Sequence, residues 1–414
     1  MQDSSHTTAR TRKGAGRRDF LKQATAATAV LSIPSIAWSK TDQVNVGVVV
    51  PLSGANAEFG KNSQQGIQLV ADQINAAGGI KSLGGAKIKL IVADSTSTPT
   101  TAATVAQRLV SENRCVGILG AYASSLTLAL MQVTVRRRVP LLTMSFSDEI
   151  TGSGYKYVFQ IVPKASVIGE AQFNYPLAAL SKLEKLSIKK AAVMYEDTAY
   201  GTSQAKGLRS AAKKANVELV MDEAYSPGIS DATPLINKLR GSGAEMVFPV
   251  SYFNDSILII RTMRQQSITT PVIGGAAGYV IPAFAEALGG TVDGILSIDT
   301  SNYDEKPELT SVYQKKYGSF ATHEAIENAA CMQVLAEAVN IAKSVDPKAV
   351  RDVLATTHFS HGWATAMPGG SVKFDEHGLN SIATPILVQW QNKGLVTVYP
   401  DSLAKGTLKV AGRV

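Results

Sequence analysis

Two different periods of apolar residues alternate along the chain. After residue 40, short runs rich in Val, Ile and Leu recur, and each is followed by a longer stretch whose apolar residues return every three or four positions. The run VNVGVVVPL predicts a strand over 44–52. In the next stretch, FGKNSQQGIQLVADQINAAGGI, residues Ile67, Val70, Ala71 and Ile74 share one face of a helix that Gly78 and Gly79 stop. KIKLIVADS is a second strand and TTAATVAQRLVSEN a helix. VGILG and VPLLTMS are a third and a fourth strand, with a helix from Ser125 to about Val135 between them.

The theme then restarts with KKAAVMYED, VELVMDEAYS, AEMVFPVS and TPVIGGA as strands, separated by the helical stretches YGTSQAKGLRSAAKKAN, TPLINKLRGSG and SILIIRTMRQQS. GILSIDTSNY reads as another long strand, and ENAACMQVLAEAVNIAKS and PKAVRDVLATT as amphipathic helices. Near the end the period drops to two. SVKFDEHG and ATPILVQWQNKGLVTVYP alternate apolar and polar residues around Asn392-Lys393-Gly394, which predicts an antiparallel hairpin. Strand and helix in alternation imply an α/β fold with parallel sheets and helices on their faces. Two such series with no linker between them imply two tightly joined lobes, and 414 residues exceed what one core holds.

Composition is that of a globular protein, 45% hydrophobic and 18% charged, with a formal net charge of +8. Much of that excess sits in the first 39 residues, which hold six basic residues against two acidic ones. Elsewhere the tight basic cluster is Arg136 to Arg138, where cations suit a solvated helix C-terminus. No basic stripe is interleaved with aromatics, so no nucleic-acid partner is expected. Cys115 and Cys331 read as two separate buried thiols, although sequence alone leaves a bridge open. No Cys/His cluster has metal-ligand spacing, and neither metal nor cofactor is expected.

Residues 1–39 read as an export signal, with a basic start, an apolar stretch of small residues from Ala24 to Ile36, and small residues Ala37 and Ser39 before Lys40. The apolar run is too short to span a bilayer and Pro34 interrupts it. Arg17, Arg18, Phe20, Leu21 and Lys22 resemble the twin-arginine signal, with Gly16 in place of its hydroxyl residue; an ordinary secretory signal is the alternative. Either route places the protein outside the cytoplasm, in the periplasm.

The candidate chemistry lies where apolar strands spill into hydroxyls: Ser124 and Ser125 after VGILG, and Thr143, Ser145 and Ser147 around VPLLTMS. Ligands of parallel sheets bind beyond the carboxyl ends of strands. A helix start there offers unpaired N–H groups and a partial positive charge, which favour an anion without a cationic side chain. The structural alternative is that each serine simply caps its helix. A carboxylate fits such a cradle, whereas a phosphate normally comes with Lys or a Gly-rich loop.

Together with these loops, the order VNVGVVVPLSGANAEFGKNSQQG, VADSTSTPTTAATVAQRLV, GAYASS, MSFSDEIT, YEDTAYGTSQAKGLR and VKFDEHG resembles the periplasmic leucine/isoleucine/valine-binding proteins, the type I solute-binding subunits of ABC uptake systems. The likeness spans nearly all of the chain after the signal. It implies two Rossmann-like lobes, 40–162 with 295–383 and 163–294 with 384–414, joined by a three-crossover hinge near Val162, Gly294 and Thr384. It also implies that the ligand's carboxylate is held by Ser124, beside Ser125. The next loop would contribute Ser145 and Ser147, with Phe146 between them. Phe59 and Tyr122 flank the cleft in the first lobe, and Tyr200 and Tyr252 in the second. The family's glutamate for the ligand's ammonium falls on Ala276, so this chain lacks it. An α-amino acid would then need another acid, with Glu324, Glu58 and Asp197 as candidates; otherwise the ligand is an aromatic, keto or aliphatic acid. The implied partners are this small carboxylate and an ABC permease with its ATPase, the protein itself being a monomer.

Neither serine loop offers a nucleophile elbow with a base in reach, so an enzyme is not expected. His323 approaches the family's side-chain pocket, where a surface or second-layer role is the alternative. GGAAG lacks the spacing of a dinucleotide site. Asp94 is expected to make a structural hydrogen bond, and Asp148 and Glu149 to cap the turn after the serine loop. A receptor of the same fold coupled to a chemoreceptor or sensor kinase is the competing function. Ser124 packed against protein on every side would defeat the cradle reading.

Overall fold

The computed structural model describes residues 42–182 and 187–409. The signal expected over residues 1–39 lies outside the described residues. The first series builds a parallel sheet of β1 (Gln43–Val50), β2 (Lys87–Asp94), β3 (Gly117–Gly120), β4 (Leu141–Thr143) and β5 (Val158–Gln160), in the order β2-β1-β3-β4-β5. Its connections are α1 (Ala57–Ala76), α2 (Pro99–Ser111), α3 (Ser124–Arg137) and the short α4 (Glu149–Gly152). β3, β4 and β5 are buried at every position, as strands covered on both faces must be.

The second series runs α5 (Ala165–Ser181), β6 (Lys190–Glu196), α6 (Ala199–Lys214), β7 (Glu218–Tyr225), α7 (Thr233–Ser242), β8 (Met246–Val250), α8 (Phe253–Gln265), β9 (Ile273–Gly275), α9 (Pro282–Leu288) and β10 (Leu296–Asp299). β6 lies between β7 and β8, parallel to both, and a Val247–Val272 bridge joins β8 to the segment leading into β9. The chain then returns to the first sheet through α10 (Pro307–Tyr317), α11 (His323–Ala342) and α12 (Pro347–Thr356), followed by the small pair β11 (His358–Phe359) and β12 (Val372–Lys373). β13 (Ile386–Gln391) and β14 (Gly394–Tyr399) close the chain as the expected hairpin, with Asn392 and Lys393 at positive φ in its two-residue turn.

α11 is buried almost all round because it lies against both the first sheet and α1. Gly66 permits that approach, since a Cβ there would stand 2.1 Å from the Ala325 carbonyl oxygen. Two expectations are corrected. Residues 295–299 do not go with the first sheet: β10 pairs parallel to β9 and antiparallel to β13, because the hairpin reaches the second sheet only through a strand beside β9. The chain therefore crosses after Asp299 and not at Gly294. SVKFDEHG also stays out of the hairpin, with Val372 and Lys373 pairing instead with Phe359 and His358. Cys115 and Cys331 are free and buried, and Arg136 to Arg138 are exposed at the end of α3. No described helix is long and apolar enough to cross a membrane.

Candidate functional site

The loops leaving five strands meet over one void. Tyr122 and Ser124 follow β3, Phe146 follows β4, Tyr200 follows β6, Tyr252 follows β8 and Ala277 follows β9; together they line one small, narrow void. Its walls are aromatic. Tyr122 stacks on Phe59 with ring centroids 4.3 Å apart, Tyr252 stands 5.5 Å from Tyr200 and 6.3 Å from Tyr122, and Phe146 lies 5.7 Å from Tyr200. A wider depression of about 860 Å³ beside Lys189, Arg209 and Glu218 is open to solvent, and Arg209 there is committed to Asp222 and Tyr195. The small enclosed cavity is the site-like one.

Its first wall contains an uncapped helix start. The N-cap of α3 is Ala123, which has no side chain to offer, and Ser124 is the first helical residue, so neither serine caps the helix. Among the described residues no carbonyl or carboxylate takes the amides of Ser124 and Ser125. Tyr252 is the group that comes close: burial and then the Glu196 charge push its phenol up, while contacts with Thr198 and the Ser124 amide oppose that shift. Ser124 is 2% exposed, lines the void, and accepts through Oγ from the Ser147 amide at 3.1 Å.

Ser145 stands elsewhere than expected. Its hydroxyl donates to the Tyr122 carbonyl at 2.5 Å and lies 2.6 Å from the Thr127 hydroxyl, which accepts from the Ala121 amide. Its carbonyl accepts from Gln160 Nε2. The Ser145 hydroxyl is thus spent on the loop after β3 and its carbonyl on Gln160 of β5, and Ser145 does not line the void. The Ser147 hydroxyl makes a long 3.4 Å contact to Ser203 of α6, facing the second sheet. Ser125 is half-buried and outside the lining, Phe59 lies behind Tyr122, and Ala276 sits one residue behind the lining residue Ala277.

The second wall is held differently. The Glu196 carboxyl, at the end of β6, accepts from the Thr198 amide at 2.8 Å and the Gly201 amide at 2.7 Å, so the start of α6 already has its acceptor. Burial raises the Glu196 pKa, and those hydrogen bonds resist the rise. Tyr200, fixed by this start, donates its hydroxyl to the Gly275 carbonyl. Both walls use unusual backbone: Tyr122 has φ 74°, Ala276 φ 61° with ψ −145°, and Ala277 φ 42°. Bulky or Cβ-bearing residues avoid these regions, and strain of this kind collects where geometry serves a ligand.

A third helix start adds acids. On α11, His323 packs 6.3 Å from Phe146 and 6.5 Å from Tyr122, ring centroid to ring centroid, and is fully buried along with Glu324 and Glu327. Burial pushes Glu324 up to about 7 and His323 down to about 3. Glu324 accepts from Asn62 Nδ2 at 2.9 Å. Of the other acids named for an ammonium, Glu58 and Asp197 are neither buried nor in the lining. Among the described residues no group of His, Cys, Asp and Glu has the arrangement of a metal site. Asp94 binds the loop leading to Phe59, accepting from the Leu52 and Thr96 amides and the Ser53 hydroxyl. Asp148 accepts from the Ser166 amide and so caps α5, not the turn it belongs to.

Ala277, Ser203 and Asn62 were not foreseen. Ser203 could have been found from its place one helical turn after Tyr200, and Ala277 from its adjacency to Ala276; nothing local marks Asn62, whose partner is 262 residues away.

The periplasmic binding protein family model matches residues 43–394. Leu/Ile/Val-binding protein homolog 8 of Brucella melitensis is 31% identical over 374 residues, 87% of this chain and 91% of that one. Homolog 7 of Brucella suis is 31% identical over 380 residues, 89% and 94% of the two chains. Among solved structures, the branched-chain amino acid transporter substrate binding protein LivJ of Streptococcus pneumoniae, in complex with isoleucine, is 25% identical with a TM-score of 0.75, over 86% of this chain and all of that one. An ABC transporter solute binding protein of R. palustris in complex with benzoate has the same fold, with 18% identity and a TM-score of 0.74 over 86% and 95% of the two chains.

Proposed function

The chain belongs to the periplasmic binding proteins of the leucine/isoleucine/valine-binding type, and on that footing we propose that it is the extracytoplasmic solute receptor of an ABC uptake system, closing on a small carboxylic acid that carries no α-ammonium group. The observation that carries this is the buried start of α3. Ala123 leaves it uncapped, no carbonyl or carboxylate accepts from its Ser124 and Ser125 amides, which the neutral Tyr252 phenol alone approaches, and the void it meets is lined by Tyr122, Phe146, Tyr200 and Tyr252. A carboxylate there completes the hydrogen bonding that the helix cannot complete itself, in a field that favours negative charge.

Ala276 supports the absence of an α-ammonium. Its neighbourhood of Gly274, Gly275, Ala277 and Gly278 offers no acid, and an unpaired buried cation costs several kcal/mol. Glu324 favours a second reading, an amino acid whose ammonium reaches α11, because one of its oxygens is buried without a partner.

Binding then proceeds by closure. The first sheet's loops take the carboxylate, and the second sheet swings over it with Tyr200 and Tyr252, turning at the three passages after β5, after β10 and before β13. The closed surface is what a permease and its ATPase recognise; export by the twin-arginine route and a monomeric state complete the proposal.

A thermal-shift screen of the purified protein against amino acids, aromatic acids, aliphatic acids, dicarboxylates and amides tests it, because a ligand of the folded state raises Tm with concentration. The expected result is a shift with simple carboxylates. A shift with neutral sugars alone overturns the reading, and a shift with α-amino acids alone selects the Glu324 alternative.

A further inference from the structure

Away from the start of α3, the aromatic cage backs onto polar atoms that the proposed carboxylate does not use. Tyr122 Oη, both ring nitrogens of His323 and Glu324 Oε2 are all buried without a well-aligned hydrogen-bond partner in the protein, and Thr322 Oγ1, similarly buried, stands close enough to the Glu324 carboxyl to oppose its rise. They form one group. Tyr122 lines the void, the His323 ring packs against Tyr122 and Phe146, and His323 Nδ1 lies 3.0 Å from Glu324 Oε2 without hydrogen-bond alignment. Asp299 Oδ1 lies 4.0 Å from the same nitrogen, and Glu327 Oε2 is also unpartnered. So many buried polar atoms left unpaired in one place is unusual, because each carries its desolvation penalty uncompensated.

Resting on the carboxylate reading above, we propose that this group is a second polar subsite, in which Tyr122, His323 and Glu324 receive an uncharged hydroxyl at the far end of the ligand. The solute is then a small hydroxylated carboxylic acid with a flat or apolar body between its two ends. The physical choice is between a hydroxyl, a second carboxylate and an ammonium. Three buried carboxyls, Asp299, Glu324 and Glu327, gather here with no Lys or Arg paired to them among the described residues. A second carboxylate would be buried here with no cation to pair with, beside acids that themselves resist ionising. An ammonium must first displace protons that burial holds on Asp299 and Glu327, whose pKa values lie well above the ordinary range. His323 is neutral for the same reason, pushed down to about 3. A hydroxyl both donates and accepts, so it satisfies a neutral imidazole, a phenol and a carboxyl whichever of them holds the shared proton.

Calorimetric titration of the full-length exported protein with two matched series decides the matter: butyrate, 4-hydroxybutyrate, 4-aminobutyrate and succinate; benzoate, 4-hydroxybenzoate, 4-(aminomethyl)benzoate and terephthalate. In the series that binds, the hydroxy acid should bind at least tenfold more tightly than its parent. Tyr122→Phe, which removes one oxygen and keeps the ring on Phe59, should bring that ratio toward one. Glu324→Gln serves as a second variant should the first not fold. Equal or tighter binding of the parent acid, tightest binding of the amino or dicarboxylic member, or an unchanged ratio in both variants overturns the subsite and leaves the carboxylate cradle standing. If no member of either series titrates, the cradle itself is wrong and the subsite falls with it.

Discussion

The starts of α3 and α6 face each other across the same cavity and solve the same problem in opposite ways. Both follow a buried strand, and both leave amides pointing where water is excluded. At α6 the protein supplies its own acceptor: Glu196 reaches the Thr198 and Gly201 amides, and Gly201 allows it, since a Cβ there would stand 2.0 Å from the Glu196 carbonyl oxygen. At α3 the equivalent place is Ala123, and no carboxyl takes the amides, which meet only the neutral Tyr252 phenol. A helix start that already holds a carboxyl has no use for another. The difference therefore assigns structural work to the second wall and, on the function proposed above, leaves the first for a ligand's anion.

Removing the built-in acceptor should have the largest effect. Glu196→Ala leaves two buried amides unpaired and is expected to lower unfolding stability by about 3 kcal/mol, read from urea denaturation; a loss below about 1 kcal/mol would mean that the α6 start does not depend on Glu196. Making α3 resemble α6 is the next test. Ala123→Asp places a carboxylate at an N-cap whose φ of −67° and ψ of 135° suit a capping residue. Affinity for a carboxylate ligand should fall about a hundredfold, roughly 2.7 kcal/mol, while thermal stability of the free protein holds or rises. Ligand binding that survives this change would place the anion elsewhere.

Ser124→Ala is milder, because the amides remain. One charge-assisted hydrogen bond is lost, and affinity should fall by about 2 kcal/mol in a titration at constant pH. The most gradual effect concerns the third start, that of α11. Burial pushes the Glu324 carboxyl up to about 7 in the folded protein, above its ordinary value of 4.5, so the folded state holds the proton more tightly than the unfolded one. Its contribution is full below the unfolded pKa and is lost as pH rises toward 7. Measured against Glu324→Gln, the wild type should lose stability steadily between pH 4.5 and 7, on the order of 1 kcal/mol per pH unit, and stay level above. The comparison with the variant matters because His323, held down to about 3, contributes with the opposite sign below its ordinary value of 6.5.

Much of this molecule was legible from residue order, for a local reason. Strand and helix periods, the Asn392-Lys393 turn and the stop at Gly78 and Gly79 depend on neighbours a few positions away, so β1, α1, β6 and the final hairpin stand where their patterns put them. The hydroxyl-rich strand ends were equally visible, and they do lead to the cavity. Partners far along the chain made the remaining choices. Ser124 and Ser145 look alike as serines after strands, yet Thr127, Gln160 and the Tyr122 carbonyl consume one and leave the other at the void. β10 joins the second sheet because β9 and β13 need a strand between them, and Asn62 meets Glu324 because α1 and α11 pack closely at Gly66. A residue's type sets which hydrogen bonds it is able to make; which of them it does make depends on what the packed chain brings within about 3 Å of it.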